Sequence, residues 1–137
     1  MLPDLRELER RLGYEFRERH LLREALTHGS ATRLRGKRRR TNERLEFLGD
    51  RVVGLAVADL LIRRYPDESE GTLTSRLSGL VREPALAETA RELRLGAWLE
   101  VARSEEEAGG RDRPAILADA LEALMGAVYL DGGWEAA

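Results

Sequence analysis

The stretch Asn42-Glu43-Arg44-Leu45-Glu46-Phe47-Leu48-Gly49-Asp50 (NERLEFLGD) opens the longest helical run in the chain and sets its acids among Leu and Phe rather than in a charged tract. Successive helical residues turn by about 100°. With Glu46 at zero, Glu43 and Asp50 fall at about +60° and +40°, one acidic stripe. Val53, Val57, Leu60 and Leu61 lie within about 60° of the same direction, whereas Arg44 and Arg51 point nearly opposite. The spacing predicts a helix over 42–64, closed by Pro66, with acids at one end of the face that should be buried. Leu45, Phe47 and Leu48 spread over other sides, too widely for one core-facing stripe, so either the chain's own core or a partner subunit would cover them.

A second segment repeats the anomaly. AILADALEALMGAVYL (115–130) carries charge only at Asp119 and Glu122. A helix apolar nearly all round is expected to be buried nearly all round, so both acids must be interior or line a cleft. Ala115, Ala123 and Gly126 beside them would let another backbone come close. Buried carboxylates take up protons or find cations. Like charges one turn apart also repel, by about 0.2–0.5 kcal/mol per exposed pair and by more at lower dielectric. Two partners are open: arginine, which supplies all but Lys37 of the 23 basic residues, or a metal. Oxygen ligands without Cys or paired His suit Mg²⁺ or Mn²⁺ over zinc. Either acid pair alone is ordinary in a chain with 35% charged residues. Together they outline a carboxylate centre of Glu46, Asp50, Asp119 and Glu122, and metal-dependent phosphoryl chemistry.

The rest of the chain agrees with an all-α, single-domain protein. Strand alternation and hairpin turn signals are almost absent. Asp4 caps a helix over 5–12 stopped by Gly13; further helices are predicted over 18–28, from Gly71-Thr72 to Val81, from Pro84 to Leu95-Gly96, and over 115–130. SEEEAGGRDR (104–113) reads as a polar loop. Trp134 to Ala137 reads as the first turn of another helix, cut short. With no Cys and no apolar run near the roughly 20 residues of a bilayer span, a soluble cytoplasmic protein without membrane contact is expected. The net charge of −2 favours no partner, but RLRGKRRR (33–40) is a dense basic cluster. It reads either as a solvated loop or, through Arg38, Arg39 and Arg40, as a phosphate contact, since the planar arginine fork donates two hydrogen bonds at once.

At this point the residues resemble a known family. NERLEFLGD looks like the signature of the ribonuclease III family, endonucleases of double-stranded RNA. LGYEF (12–16), ALTHGS (25–30), EGTLTSRLSGLV (70–81) and GGRDRPAILADALEALMGAVYLDGG (109–133) match in order. The resemblance implies a helical catalytic domain over 1–137 in which Glu46, Asp119 and Glu122 bind Mg²⁺ (Mn²⁺ substituting) and Asp50 acts through bound water. Glu43 and Glu70 would be further acids of the catalytic valley. Cleavage by a metal-activated water would leave 5′-phosphate and 3′-hydroxyl ends, in processing such as ribosomal RNA maturation, with no organic cofactor. The family works as a homodimer, which implies that Phe47, Leu45 and Leu48 meet a partner. His20 and His28 are read as structural, His28 as a helix-end cap.

The sequence departs from the family pattern at Gly29, where a larger or polar residue is usual, and in the absence of a double-stranded-RNA-binding domain from these 137 residues. A non-catalytic RNA-binding or structural relative is the alternative; it would be expected to lose acids from the two pairs, and all four are present.

Overall fold

In the computed structural model, the described backbone covers residues 3–34, 37–38 and 40–137, and the described side chains are those of the same residues except 33, 34, 37 and 38. Helix α1 (Leu5–Leu12) begins where the Asp4 carboxylate accepts the Arg6 amide at 3.0 Å and ends at Gly13, whose φ of 72° lets its N–H turn back to the carbonyls of Glu9 and Arg10. Helix α2 (Arg19–Ala25) is shorter than expected. The residues after it leave the helix to pair with other segments: the His28 amide donates to Glu100 O (2.9 Å), the Glu100 amide to Leu26 O (2.8 Å), and the Asn42 amide to Thr27 O (2.8 Å).

A 3₁₀ turn (Gly29–Ala31) leads to a two-residue antiparallel ladder, β1 (Arg33–Leu34) with β2 (Lys37–Arg38), which the sequence did not signal. Helix α3 (Glu43–Arg64) and helix α4 (Glu70–Val81) form a hairpin; α5 (Glu83–Glu92) follows, then a 3₁₀ turn (Leu95–Trp98) entered through Arg94 in the left-handed region. The polar stretch expected as loop instead contains α6 (Arg103–Glu107) and a 3₁₀ turn (Gly110–Asp112). Arg111 is the reason: its guanidinium donates to the carbonyls of Gly96 and Leu99 and to Glu106, giving this polar segment a fixed seat.

Helix α7 (Pro114–Gly132) runs through the centre of the fold, buried from Ile116 to Val128 except at Asp119 and Met125. It packs most extensively on α3, then on α5 and α2. Two glycines make the α3–α7 contact close: a Cβ on Gly49 would overlap the Glu122 carbonyl, and one on Gly126 would overlap the Leu45 carbonyl. The far end of α7 is tied down by Asp131, whose carboxylate accepts the Tyr14 hydroxyl (2.5 Å) and the amides of Arg17 (2.9 Å) and Glu18 (2.8 Å).

Two expectations for α3 are corrected. Leu45 is not available to a partner: it lies in the chain's own core, buried by the close approach to α7. Leu60 does not face the core; it is exposed, while Val53 and Leu61 are buried and Val57 is half-buried. Helix α4 buries none of its residues. It is held to the end of α3 through Arg76, which pairs with both oxygens of Glu68 at 2.7 Å and stacks over the Tyr65 ring at 3.8 Å. Among the described residues no helix is long and apolar enough to cross a membrane.

Candidate metal centre

The acids of α3 and α7 meet because the two backbones touch. Gly49 lies between Glu46 and Asp50 on α3 and faces the Glu122 backbone. Side chains one turn to either side of this contact are therefore brought together. Carboxylate oxygens of Glu46, Asp119 and Glu122 lie within 4.8 Å of one another. Glu122 is buried, and Glu46 and Asp119 are half-buried. Asp50 stands at the exposed edge, where its charge raises Glu122. Three of the four residues singled out from the two acidic pairs thus converge, with Asp50 at the rim.

The electrostatics show strain in the absence of positive charge. Burial, then the Asp119 carboxyl, then Glu43 and Asp50, push Glu46 up to about 7. Burial, then the hydrogen bond and charge of Asp50, then Glu46 and Asp119, push Glu122 up to about 8. Asp119 is raised by burial, with Glu83 adding to the rise and the Glu46 hydrogen bond and His28 opposing it. Among the described residues none of Glu46, Asp119 or Glu122 forms an ion pair with arginine or lysine. Of the two partners the sequence left open, arginine is thus not used by these three among the described residues. A hard cation coordinated by oxygen fits the donor set and would restore ionisation.

The remaining candidates are placed differently. Glu43 is exposed one turn before Glu46; its carboxylate occupies the space that a Cβ on Gly29 would take, 2.8 Å away. The unusual glycine in ALTHGS therefore makes room for an acid beside the site. Glu70 is exposed at the first residue of α4. Phe47 is 65% exposed and Leu48 is half-buried. Arg40 is exposed, 3.8 Å from Glu24, while Arg39 and the side chain of Arg38 lie outside the described residues. His28 caps the start of the 3₁₀ turn rather than the end of α2, its Nδ1 accepting the Ser30 amide at 3.1 Å.

Sequence reading missed Gly49, although a signal was present: glycine inside a helix costs about 1 kcal/mol relative to alanine, which calls for a reason. It also missed Glu83 and the influence of His28 on Asp119, which only the fold brings near.

A family model described as ribonuclease-III-like matches residues 18–137. The Ribonuclease 3 of Pelotomaculum thermopropionicum is 52% identical over 141 residues, covering 99% of this chain and 58% of that protein. The Ribonuclease 3 of Symbiobacterium thermophilum is 53% identical, covering 92% of this chain and 53% of its own length. The chain thus spans a little over half the length of these relatives. Among solved structures, the nuclease domain of ribonuclease III from Campylobacter jejuni, described as flexible in a region involved in dimer formation, superposes with a TM-score of 0.90 at 42% identity, covering 96% of this chain and 89% of that one.

Proposed function

The chain belongs to the ribonuclease III family, and on that premise we propose that residues 1–137 form a catalytic domain that hydrolyses the backbone of double-stranded RNA. Glu46, Asp119 and Glu122 would hold Mg²⁺, or Mn²⁺ in its place, and Asp50 would act on it through water. The observation that carries this reading is the convergence of the three carboxylates within 4.8 Å, with Glu46 and Glu122 pushed up to about 7 and 8. When bound, the ion lowers the pKa of water and neutralises charge on the phosphate and leaving oxygen.

The chain's own residues supply the frame. Gly49 and Gly126 fix the separation of the two acidic helices. Asp50, at the rim, faces the side open to solvent. Glu43 and Glu70 extend the acidic valley, and Arg38, Arg39 and Arg40 contact phosphates of the duplex. Each strand is cut to 5′-phosphate and 3′-hydroxyl ends, in reactions such as the maturation of ribosomal RNA. Two copies act together. Supporting that is an uncovered apolar surface: Phe47, Leu55, Ile62 and Leu80 are each more than half exposed, α4 buries nothing, and dimer formation is ascribed to the Campylobacter jejuni relative.

The test is incubation with end-labelled duplex RNA and its single strands at low salt, in Mg²⁺ and in chelator. Cleavage confined to the duplex and to Mg²⁺, and lost in Glu122→Gln, is the expected result. A folded, dimeric chain that binds duplex without cutting it under any divalent ion would favour the non-catalytic alternative.

A further inference from the structure

Phe47 and Asp50 belong to different parts of the proposed machinery, the first to the partner contact and the second to the carboxylate centre. One side chain joins them. The Arg51 guanidinium lies over the Phe47 ring, 3.9 Å from its centroid. Its Nη1 donates to the Phe47 carbonyl at 2.9 Å and reaches the Asp50 carboxylate at 3.4 Å. Asp50 in turn acts on Glu122 through its charge. Direct contacts therefore run from the exposed aromatic ring through Arg51 to Asp50, whose charge acts on the buried acid of the site. The sequence placed Arg51 on the side of α3 opposite the acids. Its length and its position beside Asp50 let it reach both.

We propose that Arg51 is a positioning residue that couples covering of Phe47 by a second copy of this chain to cation binding at the carboxylate centre. This rests on the function proposed above. While Phe47 is uncovered, the guanidinium occupies the ring face a partner would enclose and lends positive charge to Asp50. Covering the ring displaces the guanidinium from the Phe47 face and from Asp50. Asp50 then loses its counter-charge, the potential at Glu122 becomes more negative, and a divalent cation is held more tightly. Linkage is reciprocal, so the cation must tighten the dimer by the same factor. An exposed stacking contact and an exposed ion pair are each weak, so the expected coupling is about three- to tenfold.

The experiment measures free Mn²⁺ by electron paramagnetic resonance during titration of the 137-residue chain. It is run at protein concentrations below and above the dimer dissociation constant, itself obtained by sedimentation with and without Mn²⁺. The wild-type dimer is expected to bind Mn²⁺ about three- to tenfold more tightly than the monomer. Arg51→Ala should show dimer-like affinity at every concentration and a tighter metal-free dimer; Arg51→Lys, which keeps the charge without the planar stack, should fall between. Equal affinity in wild-type monomer and dimer overturns the coupling, as does an unchanged linkage in Arg51→Ala. A chain monomeric throughout overturns it by removing the partner. Absence of saturable Mn²⁺ binding overturns the carboxylate-centre reading itself, a result distinct from binding that ignores protein concentration.

Discussion

The site depends on two residues that have no side chain to offer. Gly49 and Gly126 let the α3 and α7 backbones touch, and that contact sets the carboxylate spacing. Gly49→Ala gains helix propensity of about 1 kcal/mol, but its Cβ would overlap the Glu122 carbonyl, a backbone atom that cannot rotate away. The clash decides the sign: we expect a net loss of about 1–3 kcal/mol in urea unfolding, and a neutral or stabilised variant would contradict the close contact. The acids themselves predict a pH dependence for the metal-free protein. Glu46 and Glu122 keep their protons up to about 7 and 8 in the folded chain, whereas unfolded carboxyls release them near about 4.3. Across that window the folded state binds more protons, so stability falls as pH rises from about 5 to 8. Thermal unfolding in chelator checks it: Tm should decline over that range, and Mg²⁺ should restore it most at the alkaline end. A Tm that climbs steadily through the window would show that the acids are not crowded as described.

Elements were legible where local chemistry decides them. Helix α1 is framed by Asp4 and Gly13, and α3, α4 and α7 have apolar spacing long enough to survive errors at their ends. The acidic site was legible for the same reason: Asp119 and Glu122 stand out in an apolar helix. What was not legible depends on partners distant in sequence. The second helix stops at Ala25 because Thr27 and His28 pair with the segments at Asn42 and Glu100, and nothing in 18–28 announces those partners. The stretch 104–113 looks like loop until Arg111 finds the carbonyls of Gly96 and Leu99. Leu45 is in the core rather than free for a partner because glycines on both helices draw α7 over it. The end of α7 offers an element-scale test. Asp131 receives a hydroxyl and two amides from the segment 14–18, so Asp131→Ala should cost about 1–3 kcal/mol. It should also raise amide exchange at Arg17 and Glu18 selectively, and unchanged exchange there would rule out the anchor.

For the whole molecule, the apolar residues left outside say as much as those inside. Phe47, Leu55, Ile62 and Leu80, on α3 and α4, are each more than half exposed. Phe47→Ala together with Leu80→Asp should shift sedimentation to monomer while circular dichroism stays helical. A double variant that remains dimeric would place the interface elsewhere. The small net charge of −2 hides the same division of labour: acids gather where α3 meets α7, and arginines crowd the segment just before α3. On the proposed function, the acids of the two helices hold a divalent ion. The most direct measurement is crystallographic, a data set collected at the manganese edge from crystals soaked in Mn²⁺. An anomalous peak among the oxygens of Glu46, Asp119 and Glu122, absent from Glu122→Gln crystals, is the predicted result. Ordered carboxylates with no peak between them at saturating Mn²⁺ would contradict the account.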